Sequence, residues 1–302
     1  MKGYTLPDGF LVEEEKYGHT VTLKTKRLWA VEIGCYLEFK RICDKYSLRY
    51  YASGGTLLGA VRHHGFIPWD DDMDVAMPEE DYGIFCAVAP NEVSAPFFFQ
   101  NYMTEPGFGP GMSRIRNSDS TACTEFESSI RTTDYNCGVF LDIFPLFGIE
   151  KRFFPRLWQK IKVNALRLLI AGYEKDRALA LHNNVGNRFL MLPVIFLWRI
   201  ISLFSNHDKI STKYLSACSS AKKYDKIGLL SFSSFNERFI WPKEWFSDVL
   251  VLPFEFVEIA CPSDYDKVLR KTYGDYKVFR KGGSIHRMIK CDPDVPYTIS
   301  FK

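Results

Sequence analysis

The chain has 302 residues, 46% of them hydrophobic and 25% charged, with a net charge of +3. This composition excludes an intrinsically disordered chain, and the mild charge gives no reason to expect a nucleic-acid partner. Eight dispersed cysteines without a Cys-x-x-Cys pair signal neither a zinc site nor a disulfide framework. The N-terminal MKGYTLPDGFLVEEE lacks the apolar run of a signal peptide, so the expected compartment is a reducing cytoplasm.

Residues 1–25 mix Pro, Gly and charges and read as an irregular lead-in. Lys26 to Tyr46 is predicted to be an amphipathic helix. Leu28, Val31, Cys35, Phe39, Ile42 and Tyr46 recur at steps of three and four, leaving Glu32, Glu38, Lys40 and Lys45 for solvent. Leu48 to Ser53 reads as a strand. A Gly-Gly-Thr turn follows, then a short helix from Thr56 to His63 with Gly65 placed to end it. Such a turn lets backbone N–H groups and a helix N-terminus meet an anion.

Next comes an acid cluster. Asp70, Asp71, Asp72, Asp74, Glu79, Glu80 and Asp81 fall within twelve positions, with no Lys or Arg among them. Carboxylates packed so closely repel unless they share a cation. Asp72 to Met77 alternates polar and apolar residues, as a half-buried strand does, so Asp72 and Asp74 leave one face and Asp71 the other. Two carboxylates about 7 Å apart at their roots can converge on one hard cation beside a phosphate. Asp72 and Asp74 are therefore the candidate ligands for Mg²⁺ or Mn²⁺, with Asp70 and Asp71 read as turn residues behind them.

Further strands are expected at 96–100, 112–116, 121–126 and 137–145, the last closed by Pro145. Asp142 stands in that last strand among seven apolar neighbours, where a charge is costly unless paired or metal-bound. From Lys151 to about Gly228 the pattern becomes basic and helical. Arg188 to Phe204 is the most apolar stretch, interrupted by Pro193 and Arg199 and too short to span a bilayer. Core packing is the first reading for it and docking on a membrane surface the second. Near the C-terminus, Asp264 is placed to cap a helix running to Tyr273, which Gly274 ends.

GGTLLGAVRHHGFIPWDDDMDVAM, dense over about 30 residues, resembles the signature of the LicD/fukutin-related family. Its members have a nucleotidyltransferase-type fold, marked by a small-residue turn after the first strand and an Asp-x-Asp on the second. LicD proteins move phosphocholine from CDP-choline to cell-surface glycans, and relatives move other phosphoalcohols. Trp245-Phe246, Cys261 to Asp266 and LRKTYGDY (Leu269 to Tyr276) resemble the family's C-terminal pattern.

The resemblance implies an α+β protein: a nucleotidyltransferase-like mixed β-sheet core flanked by helices at 26–150, a helical insertion at 151–228, and a segment at 229–302 packing back on the core. It implies metal-dependent transfer of a phosphoalcohol, phosphocholine first, from a CDP-linked donor to a glycan or lipid-linked glycan acceptor. The family carries a third active-site acid in a Gly-x-x-x-Asp-Ile-Phe-Pro-like segment, and Asp142 occupies that place as ligand or base. Gly54, Gly55 and Thr56 would meet phosphate at the helix start, and Arg62 would clamp it. His64 stands where family members commonly have Lys. Arg114 and Arg116, two apart on one strand, either reach donor phosphate or balance the acids. Trp69 either faces a quaternary ammonium or simply packs. His286 follows LRKTYGDY as the family's His does, but the loop before it, Val278 to Ser284, lacks the family's prolines. The rival readings are a sugar-nucleotide glycosyltransferase with an Asp-x-Asp metal site, and a non-catalytic binding relative.

Overall fold

The structure, a computed structural model, describes residues 4–105, 107–130, 135–182, 188–233, 235–279 and 288–300. The lead-in expected to be irregular holds a hairpin, β1 (Glu14–Lys16) with β2 (His19–Val21). Helix α1 (Leu23–Tyr46) starts three residues earlier than its periodicity suggests, because the Thr22 hydroxyl accepts the N–H of Thr25 (3.2 Å) and caps it. Ser47, left-handed at φ 53°, ends the helix.

Then follow β3 (Tyr51–Ala52), α2 (Gly54–His63), β4 (Met73–Pro78), α3 (Glu79–Glu92), β5 (Phe97–Gln100), β6 (Ser113–Asn117), β7 (Thr121–Thr124), α4 (Glu125–Ile130) and β8 (Val139–Ile149). The chain continues through α5 (Phe153–His182), α6 (Arg188–Ser202), α7 (His207–Cys218), β9 (Lys226–Gly228), α8 (Leu230–Ser233) and β10 (Ile240–Pro242). A hairpin of β11 (Val249–Phe254) and β12 (Val257–Pro262), helix α9 (Tyr265–Tyr273), β13 (Met288–Asp292) and α10 (Tyr297–Ser300) complete it.

The fold is α+β, built on a mixed sheet whose centre is β8. On one side β8 runs parallel to β4, which pairs antiparallel with β3. On the other side the first half of β8 pairs antiparallel with β6, itself paired with β5, and the second half with β9, which leads to β10. All eleven residues of β8 are buried, as in a strand covered on both faces. It runs four residues past Pro145, the expected end. On that edge β6 pairs only as far as Ile143 and β9 only from Phe147, so Pro145 sits in the gap, where a missing N–H costs little.

Helix α1 lies over the sheet but is buried more widely than a single stripe. Trp29 stacks on Phe66 (4.7 Å), and its Nε1 donates to the Asp70 carbonyl (3.1 Å). The turn carrying the acids thus covers a second face of the helix, beside the one on the sheet. Glu32, expected in solvent, is 1% exposed as a result, whereas Tyr46 at the helix end is 37% exposed. A second cluster, including Val163, Ile170, Trp198, Ile210 and Tyr214, packs α5, α6 and α7 onto the far half of β8. Among the described residues, no helix is long and apolar enough to cross a membrane.

Candidate active site

Helix α2 opens directly onto the acids. Gly54 adopts φ +53°, and a Cβ there would meet Asp74 Oδ2 at 2.6 Å; a Cβ on Gly55 would meet Asp70 Oδ2 at 2.5 Å. A side chain at either glycine would occupy the space the carboxylates use. Thr56 fixes the strand against the helix, its Oγ1 accepting the Asp74 N–H (2.7 Å), and the Ser53 N–H donates to the Asp74 carbonyl (3.0 Å).

The regular strand begins only at Met73, so the alternation that would turn Asp71 away does not extend over 70–72. These residues leave the turn at Pro68-Trp69, where the Asp70 N–H donates to the Ile67 carbonyl (2.8 Å). Asp70, Asp71 and Asp72 consequently bring one carboxylate oxygen each within 4.8 Å of one another. Asp70 and Asp71 thus belong to the cluster rather than standing behind it.

Asp74 is joined by Asp142, because the two occupy facing positions of the parallel β4–β8 pair. On the opposite flank Arg114 of β6 pairs with Asp142, its Nε donating to Oδ1 (2.5 Å), while its Nη1 donates to Glu127. Burial, followed by the charges of Asp72, Asp142 and Asp70, raises the Asp74 pKa well above the carboxylate range. Burial and then Asp72 push Asp70 up to about 8. Glu32 of α1 is raised well above its ordinary value by burial and by Asp72, Asp71, Asp70 and Asp74, and its Oε2 has no hydrogen-bond partner among the described residues. A protein that gathers this many carboxylates, Asp72, Asp142 and Glu32 of them buried, with Glu32 Oε2 left without a partner among the described residues, fits a hard divalent cation: every donor is an oxygen.

The other sequence candidates are dispersed. Arg62 lies in the last turn of α2, at the end away from the acids, donating from Nη1 to the Tyr276 carbonyl (2.9 Å) and stacking on Phe279. His64 is exposed and left-handed at φ 53°; it, not Gly65, closes α2. Trp69 is half-buried and packs against the core beside His19. Arg116 is fully buried, held by Gln100 (2.5 Å), the Gly138 carbonyl (2.6 Å) and Glu127. Both strand arginines therefore balance buried carboxylates, and both lie over the Phe140 ring. His286 lies outside the described residues. Near α9, Asp264 makes no side-chain cap and instead pairs with Lys267 (3.0 Å), while Gly274 does end the helix.

The sequence reading missed Glu32, Glu127 and Tyr273. Tyr273, though 44% exposed over the whole residue, shares a small cleft with Ser53 and Gly54, where local burial and then Asp74, Asp70 and Asp72 raise the pKa of its hydroxyl. The length-24 helix disguised Glu32 as a surface residue. Only Tyr273 had a local signal, its place in LRKTYGDY.

Beside Arg114, the partner of Asp142, a cavity of about 440 Å³ opens, lined by aromatic rings from five elements or loops: Phe108, Tyr135, Phe144, Tyr214 and Phe232. Phe144 follows Asp142 by two residues on β8 and so leaves the same face of the strand. Arg167 and Glu174 of α5 close the far side.

Comparison with known proteins agrees with this geometry. Residues 47–164 match the LicD/FKTN/FKRP family, nucleotidyltransferase domain. The chain is 28% identical over 263 residues to the lipopolysaccharide cholinephosphotransferase LicD of Haemophilus influenzae, covering 85% of this chain and 91% of that one. It is 45% identical over 42 residues to the human ribitol 5-phosphate transferase FKRP, covering 14% of this chain and 8% of that one. An uncharacterized protein of Rickettsia prowazekii is 54% identical over 40 residues, 13% of this chain and 15% of its own length. The matched segment, residues 47–164, spans both the Gly-Gly turn and the acids it is seated on, so it is at this site that the chain is similar to the LicD/fukutin-related family.

Proposed function

We propose that this protein transfers a phosphoalcohol, phosphocholine above others, from a CDP-linked donor to a cell-surface glycan or lipid-linked glycan precursor, with Mg²⁺ or Mn²⁺ as cofactor. The observation that carries the reading is the seating of Gly54 and Gly55 on Asp74 and Asp70, with Asp142 in register beside Asp74. This joins a helix N-terminus suited to phosphate with a convergent set of acids suited to a divalent ion.

Asp72 and Asp74 would hold the ion, with Asp70 and Asp71 adding oxygens from the turn. When bound, the ion neutralises diphosphate charge and the charge that builds up in phosphoryl transfer. Gly55 and Thr56 direct backbone N–H groups of α2 toward donor phosphate. Asp142, with one oxygen anchored by Arg114, orients the acceptor hydroxyl and receives its proton. The acceptor oxygen bonds to the phosphorus bearing the alcohol. The bond from that phosphorus to the bridging oxygen breaks, and CMP leaves with the electron pair.

Two observations support choline as the alcohol. The relative aligned over most of this chain is named for cholinephosphate transfer, and the cavity beside Arg114, the partner of Asp142, offers aromatic faces to a quaternary ammonium. The test is nucleotide release from CDP-choline, CDP-ethanolamine, CDP-glycerol, CDP-ribitol and sugar nucleotides, each with Mg²⁺ or with excess chelator. Metal-dependent CMP release, fastest from CDP-choline, is the expected result. Release from sugar nucleotides alone would make the chain a glycosyltransferase, and release from none a binding protein.

A further inference from the structure

Helices α5 and α6 leave uncovered the kind of surface that soluble domains normally bury. In α5, Phe154, Leu157, Trp158, Ile161 and Leu168 are all exposed, Phe154 to 78%. Their spacing of three and four places them in one stripe along the helix. In α6, Ile195 and Trp198 face inward while Leu192, Phe196 and Ile200 face out; Leu203 and Phe204 just beyond are 77% and 85% exposed. Core packing, the first reading of 188–204, thus holds for only one side of the helix. The two helices belong to one packed pair: Gly172 of α5 lies against Val194 and Trp198 of α6, and Tyr173 meets the Trp198 ring at 5.3 Å.

The charge along this part of α5 is of one sign, although Lys151, Arg152 and Arg156 at its start pair with Asp225, Glu150 and Glu237 of other segments and leave Lys160 and Lys162 as the cations flanking the stripe itself. From Lys151 to Tyr173 there are six cations (Lys151, Arg152, Arg156, Lys160, Lys162, Arg167) and no acid. At about 100° per residue, Lys160 and Lys162 fall on opposite flanks of the Phe154–Leu168 stripe. Exposed Phe, Trp and Leu flanked by Lys and Arg form the pattern of a helix lying in a membrane interface, its apolar face among the acyl chains and its cations at the headgroups.

We propose that α5 and α6 seat this protein on an anionic lipid surface. A second copy of the chain is the poorer occupant, because it would bring the same cations face to face, whereas acidic headgroups neutralise them. The inference does not depend on the transferase reading, since the surface lies outside the acid cluster and its test needs no turnover.

The test is co-sedimentation of the full chain with vesicles of phosphatidylcholine alone, or mixed with phosphatidylglycerol, over a range of salt. Binding is expected to the anionic vesicles, weakening as salt rises. Phe154→Ser with Trp158→Ser is expected to lower partition about tenfold or more, since two aromatic anchors are lost. Lys160→Glu with Lys162→Glu is expected to remove the preference for phosphatidylglycerol. All four residues lie on the surface, so an unchanged circular dichroism spectrum shows that the variants still fold. No partition into anionic vesicles at low salt, or partition unaltered in both variants, would overturn the proposal. So would a stable dimer in solution that both variants dissociate.

Discussion

Asp74 and Asp142 face each other across the only parallel strand pair among the described residues, and Arg114 meets Asp142 from the opposite strand. Two acids thus stand side by side in the sheet with an arginine attached to one of them. The consequences for stability and for turnover have opposite signs, and this makes the arrangement testable.

For Asp74→Asn, turnover is expected to fall about 100-fold or more, while the metal-free protein becomes more stable. The substitution removes a buried carboxyl whose charge is disfavoured by Asp72 and Asp142. Melting temperature in chelator, beside CMP release in Mg²⁺, checks both halves. Near-normal release would exclude Asp74 from the metal role.

Alanine at the two glycines should act differently. At Gly54 the positive φ costs about 1–2 kcal/mol for a residue with a Cβ, and the methyl displaces Asp74, so both stability and turnover fall. At Gly55, whose φ is ordinary, the methyl displaces only the flexible end of Asp70. Gly55→Ala should keep nearly its full melting temperature yet weaken Mn²⁺ binding in a titration. Equal Mn²⁺ affinity in Gly55→Ala and the wild type would separate Asp70 from the ion.

Arg116 is predicted to matter for the fold alone. Its loss leaves Glu127, which both arginines hold below the carboxylate range against the opposing effect of burial, partly uncompensated. Arg116→Ala should cost about 3–5 kcal/mol in urea unfolding, and adding Glu127→Gln should recover part of that. An Arg116→Ala protein of normal stability and impaired donor binding would instead assign Arg116 to the substrate.

The pH dependence follows from Asp70, raised from 3.8 to about 8 by burial and then by Asp72. Between those values the unfolded chain has released this proton and the folded chain retains it. Asp70 therefore contributes stability at low pH that is lost as pH rises toward 8. In chelator, wild type should lose stability relative to Asp70→Asn as pH climbs through that window, and Mg²⁺ should restore it with proton release. A difference that grows in favour of wild type with rising pH would contradict the assignment.

Much of the frame was legible in the residues. Alternation read over Asp72 to Met77 marked β4, which begins one residue later, the apolar run around Asp142 marked β8, and the helix expected from Thr56 is α2, which takes in Gly54 and Gly55 as well. These signals are local, because strand and helix periods appear within a few residues. The helix of 23–46 was readable too, but not its burial on two sides, since the second covering surface is the turn at 66–72. Period alone cannot report what a distant segment lays over a helix, so Glu32 read as solvent-facing.

By itself the sequence determined which acids are available, that Asp74 lies on a strand, and that two glycines precede them at a helix start. Only the tertiary structure decided which carboxylates meet. A parallel register sets Asp74 beside Asp142, a turn gathers Asp70, Asp71 and Asp72, and an antiparallel neighbour assigns Arg114 to Asp142. The reason is that strand order and register depend on contacts between segments tens of residues apart, where hydrophobic pattern restricts the choices but does not select among them.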